Sequence, residues 1–277
     1  MSLMVFAVVM LAALLHASWN AIVKSAPDKL LTTVMVTTAA AGLSGALIPF
    51  LTEPTRSSFP YAVASAFLQI IYFVLVARTY QVADMSQAYP LMRGTAPLIV
   101  AIVSAFQMDD ALSLVAWIGV MAICLGVFII ALGGTRSDGK GIRLALLNAL
   151  VIAGYTLIDG LGVRKSGAPA AYTLWVFLLT GVPLALWAMA VKGSALVAYF
   201  RRHWRLGIAG GIGTTASYGL ALWAMTVAPI AVVAALRETS ILFATLIAGF
   251  VLRESIGALR VVSACIIAGG AAILRLA

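Results

Sequence analysis

The stretch Ala88–Phe106, AYPLMRGTAPLIVAIVSAF, decides the fold. It sets a permanent cation, Arg93, between Pro90 and Pro97, followed by 13 residues that are almost entirely apolar. About 20 mostly apolar residues are enough to cross a bilayer as a helix. The segment therefore reads as a membrane span that carries a charge well inside it, and the charge needs a reason.

Composition extends this reading to the whole chain. Of 277 residues, 63% are hydrophobic and only 10% charged, with a mean hydropathy of +1.09. Soluble domains carry about 25% charged residues, and no soluble fold of this length has enough interior to hide so much apolar side chain. That leaves a polytopic membrane protein. Ten candidate spans fall at approximately 3–23, 30–50, 60–80, 85–107, 112–132, 143–163, 170–191, 206–227, 230–252 and 256–275. They are too long and continuous for barrel strands, so the expected fold is all-α. The first span lacks a basic leader region and carries His16, Trp19 and Asn20, so it reads as a retained span and not a cleaved signal.

The net charge of +9 is spread through the short breaks between spans. Such spacing is a topology signal and not a nucleic-acid surface. Loops after the odd-numbered spans carry twelve Lys or Arg residues, and the opposite face, with both termini, carries four. The positive-inside rule then places both termini on the outer face of a bacterial-type inner membrane. Cys124 and Cys265 lie within apolar runs at no ligand spacing and read as packing residues.

Sliding the chain on itself by 144 residues aligns Arg93 with Arg237, Thr95 with Thr239, Phe106 with Phe250, Gly126 with Gly270 and the acid Asp110 with the acid Glu254. Two halves follow, residues 1–134 and 141–277, each with five spans. An odd number of spans per half inverts the second half in the membrane, an arrangement that places a substrate site near the midplane of secondary transporters.

With "YPLMRGTAPLIVAIVSAF" followed by an acid, its echo "VVAALRETSILFATLIAGFVLRES" and the opening "HASWNAIVKS", the chain resembles the drug/metabolite transporter superfamily, EamA type. The resemblance implies two inverted five-helix repeats around a central cavity. It also implies that spans one, three, four, six, eight and nine surround that cavity, and that amino acids or metabolites are exported. Asp110 departs from the glutamate usual at the end of the fourth span, and Pro97 has Ile241 as its counterpart.

An ionisable group at the bilayer centre costs about 2.5–3.5 kcal/mol on insertion scales. Arg93 lies roughly 12 Å into its span, and Arg237 is similarly deep from the other face. Three readings stand for these arginines: a forked site for a carboxylate or phosphate, snorkelling to the headgroups, or a structural pair with Glu238, Asp159 or another acid. Tyr89 shares a helix face with Arg93. Span one aligns His16, Trp19, Asn20 and Lys24, with His16 the candidate proton carrier. Span six presents Asn148, Tyr155 and Asp159, span three Gln69 and Tyr72, and span eight Tyr218 and Trp223. The candidate substrate-binding residues are thus His16, Trp19, Asn20, Gln69, Tyr72, Tyr89, Arg93, Tyr155, Asp159, Tyr218, Trp223, Arg237 and Glu238.

The chain shows no phosphate-binding glycine loop with Lys, no HExxH, no metal-ligand cluster and no Ser nucleophile elbow. Neither catalytic residues, a metal nor a cofactor is expected. The leading expectation is a secondary carrier or facilitator, monomeric or weakly oligomeric, moving an amino acid or related zwitterion by alternating access. In it, the arginines take the acid group and Asp159 or Glu238 takes the amine. The alternatives are a carrier of an organic anion such as a phosphonate or sugar phosphate, and a non-transporting intramembrane protein.

Overall fold

The computed structural model describes residues 1–83, 85–107, 112–133, 139–251 and 257–277. All its regular structure is helical: α1 (Leu3–Ser25), α2 (Lys29–Leu47), α3 (Phe59–Val82), α4 (Met85–Gln107), α5 (Leu114–Leu132), α6 (Gly139–Ser166), α7 (Pro169–Met225), α8 (Ile230–Arg237), α9 (Ser240–Leu246) and α10 (Ala258–Leu276), with short 3₁₀ and π turns. Hydrocarbon offers no partner to backbone N–H and C=O groups, so each apolar run must satisfy them internally as a helix. Among the described residues, nine helices are long and apolar enough to cross a membrane.

Polar residues in the breaks start these helices. Ser2 Oγ accepts from the Val5 N–H at 3.3 Å, Asp28 Oδ1 from Leu31 at 2.9 Å and Ser113 Oγ from Ala116 at 3.1 Å. Each satisfies one of the donors a helix N-terminus leaves open.

The 57-residue α7 differs from the expected two spans with a 14-residue loop. The linking segment is itself largely helical, and its Ala195, Leu196, Ala198, Arg201 and Arg202 are strong helix formers. The backbone breaks instead at Gly193 (φ 45°, ψ −121°), a conformation open mainly to glycine, and at His203 (φ −120°, ψ 16°). A straight helix would hold Gly181 and Gly211 about 45 Å apart. Yet a Cβ at Gly181 would lie 2.7 Å from Ala41 Cβ, and one at Gly211 would lie 2.9 Å from Ala39 Cβ. Both arms of α7 therefore flank the same stretch of α2, and the element doubles back.

The expected span 230–252 is also interrupted. The amides of Glu238, Thr239 and Ile241 bond to carbonyls three residues back, at 3.0 Å each. This tight 3₁₀ stretch separates α8 from α9 directly after Arg237. All of Ile230–Leu236 is buried, so the interruption lies in the protein interior, where lipid-facing rules do not apply.

Close contacts between α5 and α10 are reciprocal. A Cβ on Gly126 would meet Ile267 Cγ1 at 2.6 Å, and one on Gly270 would meet Ile123 Cγ1 at 2.8 Å. Small residues at such a crossing let backbones approach and gain dispersion contacts. At one end of the bundle Arg275 donates to the Met1 carbonyl at 2.7 Å, joining the two termini. At the other, Thr32 Oγ1 and the Tyr199 hydroxyl lie 2.7 Å apart, joining the α1–α2 turn to the link within α7. Asp110, Arg136, Arg253 and Glu254, used in the repeat and charge readings, lie outside the described residues.

Candidate functional site

A cavity of about 120 Å³ opens among α1, α2, α3, α4, α6, both arms of α7 and the end of α8. Ten of the expected residues line it: His16, Trp19, Asn20, Gln69, Tyr72, Tyr89, Arg93, Tyr155, Tyr218 and Arg237. Asp159, Glu238 and Trp223 do not. Trp223 instead borders a separate apolar groove with Met4, Val5 and Leu274 near the chain termini.

The two arginines differ sharply. Arg93 is 8% exposed and donates from Nε to Glu238 Oε2 at 2.9 Å, while its Nη2 lies 2.8 Å from Glu238 Oε1. The Nε contact is a hydrogen bond and the Nη2 contact a close ion-pair approach, so the pair is charge-assisted. Breaking such a buried pair costs about 3–5 kcal/mol, which ties α4 to the 3₁₀ break between α8 and α9. Arg237 is half-buried and, among the described residues, has no ion pair. Its guanidinium sits 4.9 Å from the centre of the Tyr218 ring, a cation–π contact. The difference has a sequence origin. The 144-residue counterpart of Glu238 is Gly94, so the partner that Arg93 has is missing for Arg237.

Behind the cavity wall lies a second polar cluster. Asp159 is wholly buried. Its Oδ1 accepts from the Tyr172 hydroxyl at 3.0 Å, and its Oδ2 accepts from Ser65 Oγ at 2.7 Å and from the Tyr218 hydroxyl. Gln69 Nε2 donates to Ser65 Oγ at 3.1 Å and reaches Asp159 Oδ2 at 3.5 Å. The carboxylate thus anchors Tyr218, and Tyr218 in turn carries Arg237 on its face. The cluster satisfies the carboxylate, as a buried charge requires.

The expected stripes are split by the packing. Of the span-six face, Tyr155 reaches the cavity, edge-on to Tyr72 at 6.0 Å, whereas Asn148 Nδ2 contacts Met92 Sδ at 2.9 Å. In α1, His16 stands edge-on to Trp19 with ring centres 5.3 Å apart, and Asn20 Nδ2 donates to the His16 carbonyl at 2.7 Å.

Several lining residues were not expected. Thr33, Val36 and Thr37 come from α2, and Phe177 and Thr180 from the first arm of α7, two elements placed outside the cavity by the resemblance. Thr33 and Thr37 bond to carbonyls of their own helix. Such threonines read as apolar helix residues, and only the doubling back of α7 around α2 turns them inward. Among the described residues no carboxylate lines the cavity, and no group of His, Cys, Asp or Glu could hold a metal ion.

Residues 139–276 match a family model described as the EamA-like transporter family. No curated protein matches the chain. A solved crystal structure, described only as that of a protein, superposes over 100% of this chain and 98% of its own with a TM-score of 0.76. At 19% identity that likeness concerns the fold alone.

Proposed function

We propose that this multi-pass chain, whose residues 139–276 match the EamA-like transporter family, is a secondary carrier exporting a small zwitterion of the amino-acid type by alternating access. The observation that carries this reading is Arg237, a cavity guanidinium without a carboxylate partner among the described residues, beside Arg93, whose charge Glu238 already meets. One cavity guanidinium outside any ion pair suits one carboxylate. The 120 Å³ cavity is well below the ~300 Å³ of drug-sized sites, which favours a small solute. Asp159 and Glu238 lie behind the wall, so the amine of the solute meets aromatic faces, the Gln69 and Asn20 amides and threonine hydroxyls.

Counting the arms of α7 separately gives ten crossings, in two inverted halves. The reciprocal contacts Gly126–Ile267 and Gly270–Ile123 support this, because the two glycines are 144 residues apart and so are the two isoleucines. The joined termini agree with an even number of crossings. The basic residues gathered in the loops after the odd-numbered spans support both termini lying outside an inner membrane. At the other end Arg164 donates to the carbonyls of Met225 (2.7 Å) and Ala228 (3.0 Å) and closes the bundle. His16, which shares the cavity with Arg93, Arg237, Tyr72, Tyr89, Tyr155 and Tyr218, is the titratable group for proton coupling. One chain supplies every lining residue of the cavity, which supports a monomer or weak oligomer.

The absence of a lining carboxylate also favours a second reading, an organic anion without an amine. Proteoliposome counterflow separates the two. Neutral amino acids, the matching carboxylates without the amine, and phosphonates are offered in turn. Saturable amino-acid flux that is lost in Arg237→Ala supports the first reading, and preference for the amine-free acid supports the second. Flux of every solute that persists in Arg237→Ala removes the anion site from both.

A further inference from the structure

The link inside α7 carries a feature that a solvated loop does not need. Between the breaks at Gly193 and His203 the chain forms a short helix whose buried Leu196 clusters with Val34 of α2 and Ala188, with Phe200 and Leu31 packed against that cluster. Tyr199 adds the hydrogen bond to Thr32 and a ring contact with His203 at 4.6 Å. One face is thereby fastened to the bundle. The other face is open, and Ser194, Val197, Ala198, Arg201 and Arg202 border a shallow groove there.

The exposed residues of this link and of the turns flanking its two breaks combine charge with apolar surface. Lys192, Arg201, Arg202 and Arg205 are all exposed, and no Asp or Glu occurs anywhere from 160 to 237 to neutralise them. Val197 is 37% and Trp204 53% exposed, with the Arg205 guanidinium 5.5 Å from the Trp204 ring centre. The segment joins two membrane-crossing arms, so it sits at the boundary between headgroups and water. Exposed tryptophan beside clustered basic residues is the composition that such a boundary selects.

We propose that the outward face of Gly193–Arg205 is a docking surface for anionic phospholipid headgroups, with Arg201, Arg202 and Arg205 holding the phosphate and Val197 and Trp204 entering the acyl boundary. The proposal needs only that the arms of α7 cross a membrane. It is independent of what the cavity carries. A basic segment with a phosphate-rich surface before it is complementary in charge, and each Lys or Arg near an anionic leaflet strengthens the attraction about fivefold. The two backbone breaks let the segment lie along the surface while the arms run across it.

The test is native mass spectrometry of the purified full-length protein in detergent. Dioleoyl phosphatidylglycerol or dioleoyl phosphatidylcholine is added at equal concentration. The wild type is expected to retain the phosphatidylglycerol selectively. That selectivity falls as salt rises, falls on the order of 100-fold in Arg201→Gln/Arg202→Gln/Arg205→Gln, and survives in the triple Arg→Lys variant. Equal retention of both lipids by the wild type, or unchanged selectivity in the glutamine variant, overturns the proposal. Displacement of the lipid by millimolar inorganic phosphate also overturns it, by assigning the site to a soluble anion. If the glutamine variant does not fold, the salt series on the wild type decides alone, with salt-insensitive selectivity counting against the proposal.

Discussion

Glu238 holds Arg93 by two contacts, at 2.9 and 2.8 Å, and leaves its own sequence neighbour Arg237 to the ring of Tyr218. Two arginines at equivalent positions in the 144-residue register therefore have different tasks. One fixes helices; the other faces the cavity with no ion pair among the described residues.

Replacing Arg237 with Ala is expected to weaken the uptake affinity for a carboxylate-bearing solute by on the order of 10- to 100-fold, the value of a charged hydrogen bond. Arg237→Lys keeps a point charge but loses the planar fork, so it recovers part of that loss. Concentration-dependent flux in proteoliposomes measures both, and equal flux in all three proteins would contradict the assignment.

Removing one half of the buried pair behaves differently from removing both. Glu238→Gln strands the Arg93 guanidinium and lowers stability by about 3–5 kcal/mol. The double change Arg93→Met/Glu238→Leu replaces charge with apolar volume and regains most of that stability. Thermal unfolding in detergent reads the difference. A double variant no more stable than Glu238→Gln would show that the pair does not act as a unit.

Tyr218 supplies a ring to Arg237 and a hydroxyl to Asp159. Tyr218→Phe keeps the ring, so solute affinity stays within severalfold of wild type while stability falls by about 1–2 kcal/mol from the lost hydrogen bond. Tyr218→Leu also removes the cation–π contact and lowers affinity further. If Phe and Leu reduce affinity equally, the ring does not position Arg237.

Two adjacent glycines in α10 separate packing from helix propensity. A methyl on Gly270 would stand 2.8 Å from Ile123 Cγ1 and 2.9 Å from the Gly119 carbonyl, whereas Gly269 has nothing within 4 Å. Gly270→Ala is expected to destabilise by about 1–3 kcal/mol. Gly269→Ala is neutral or stabilises by up to ~1 kcal/mol through helix propensity. Melting temperatures of the two variants test this, and identical shifts would refute the close α5–α10 approach.

The helical, membrane-spanning character of the chain was legible because apolar runs of about 20 residues have one local solution in lipid. Arg93, Arg237 and most aromatic residues of the cavity were legible for a related reason. A charge or hydroxyl inside such a run is costly and stands out. Thr33, Thr37 and Thr180 did not stand out, because a threonine in a span commonly bonds to its own helix. Asp159 and Glu238 were visible as acids within spans, and a pair of Glu238 with an arginine was one of the open readings, but the hydroxyl partners of Asp159 were not visible. Ser65 and Tyr172 contact Asp159 only because α3 and the first arm of α7 pack against α6.

The sequence by itself determined that the apolar runs are helical and which side chains are too polar for lipid. It also determined that position 94 is glycine where position 238 is glutamate. The tertiary structure decided what that difference means. Glu238 turns toward Arg93 on another helix, and α7 folds back at Gly193 to bring α2 into the cavity wall. Local propensity and hydropathy act over a few turns of one helix. Ion pairing and cavity shape depend on which helices meet, and only long-range packing sets that.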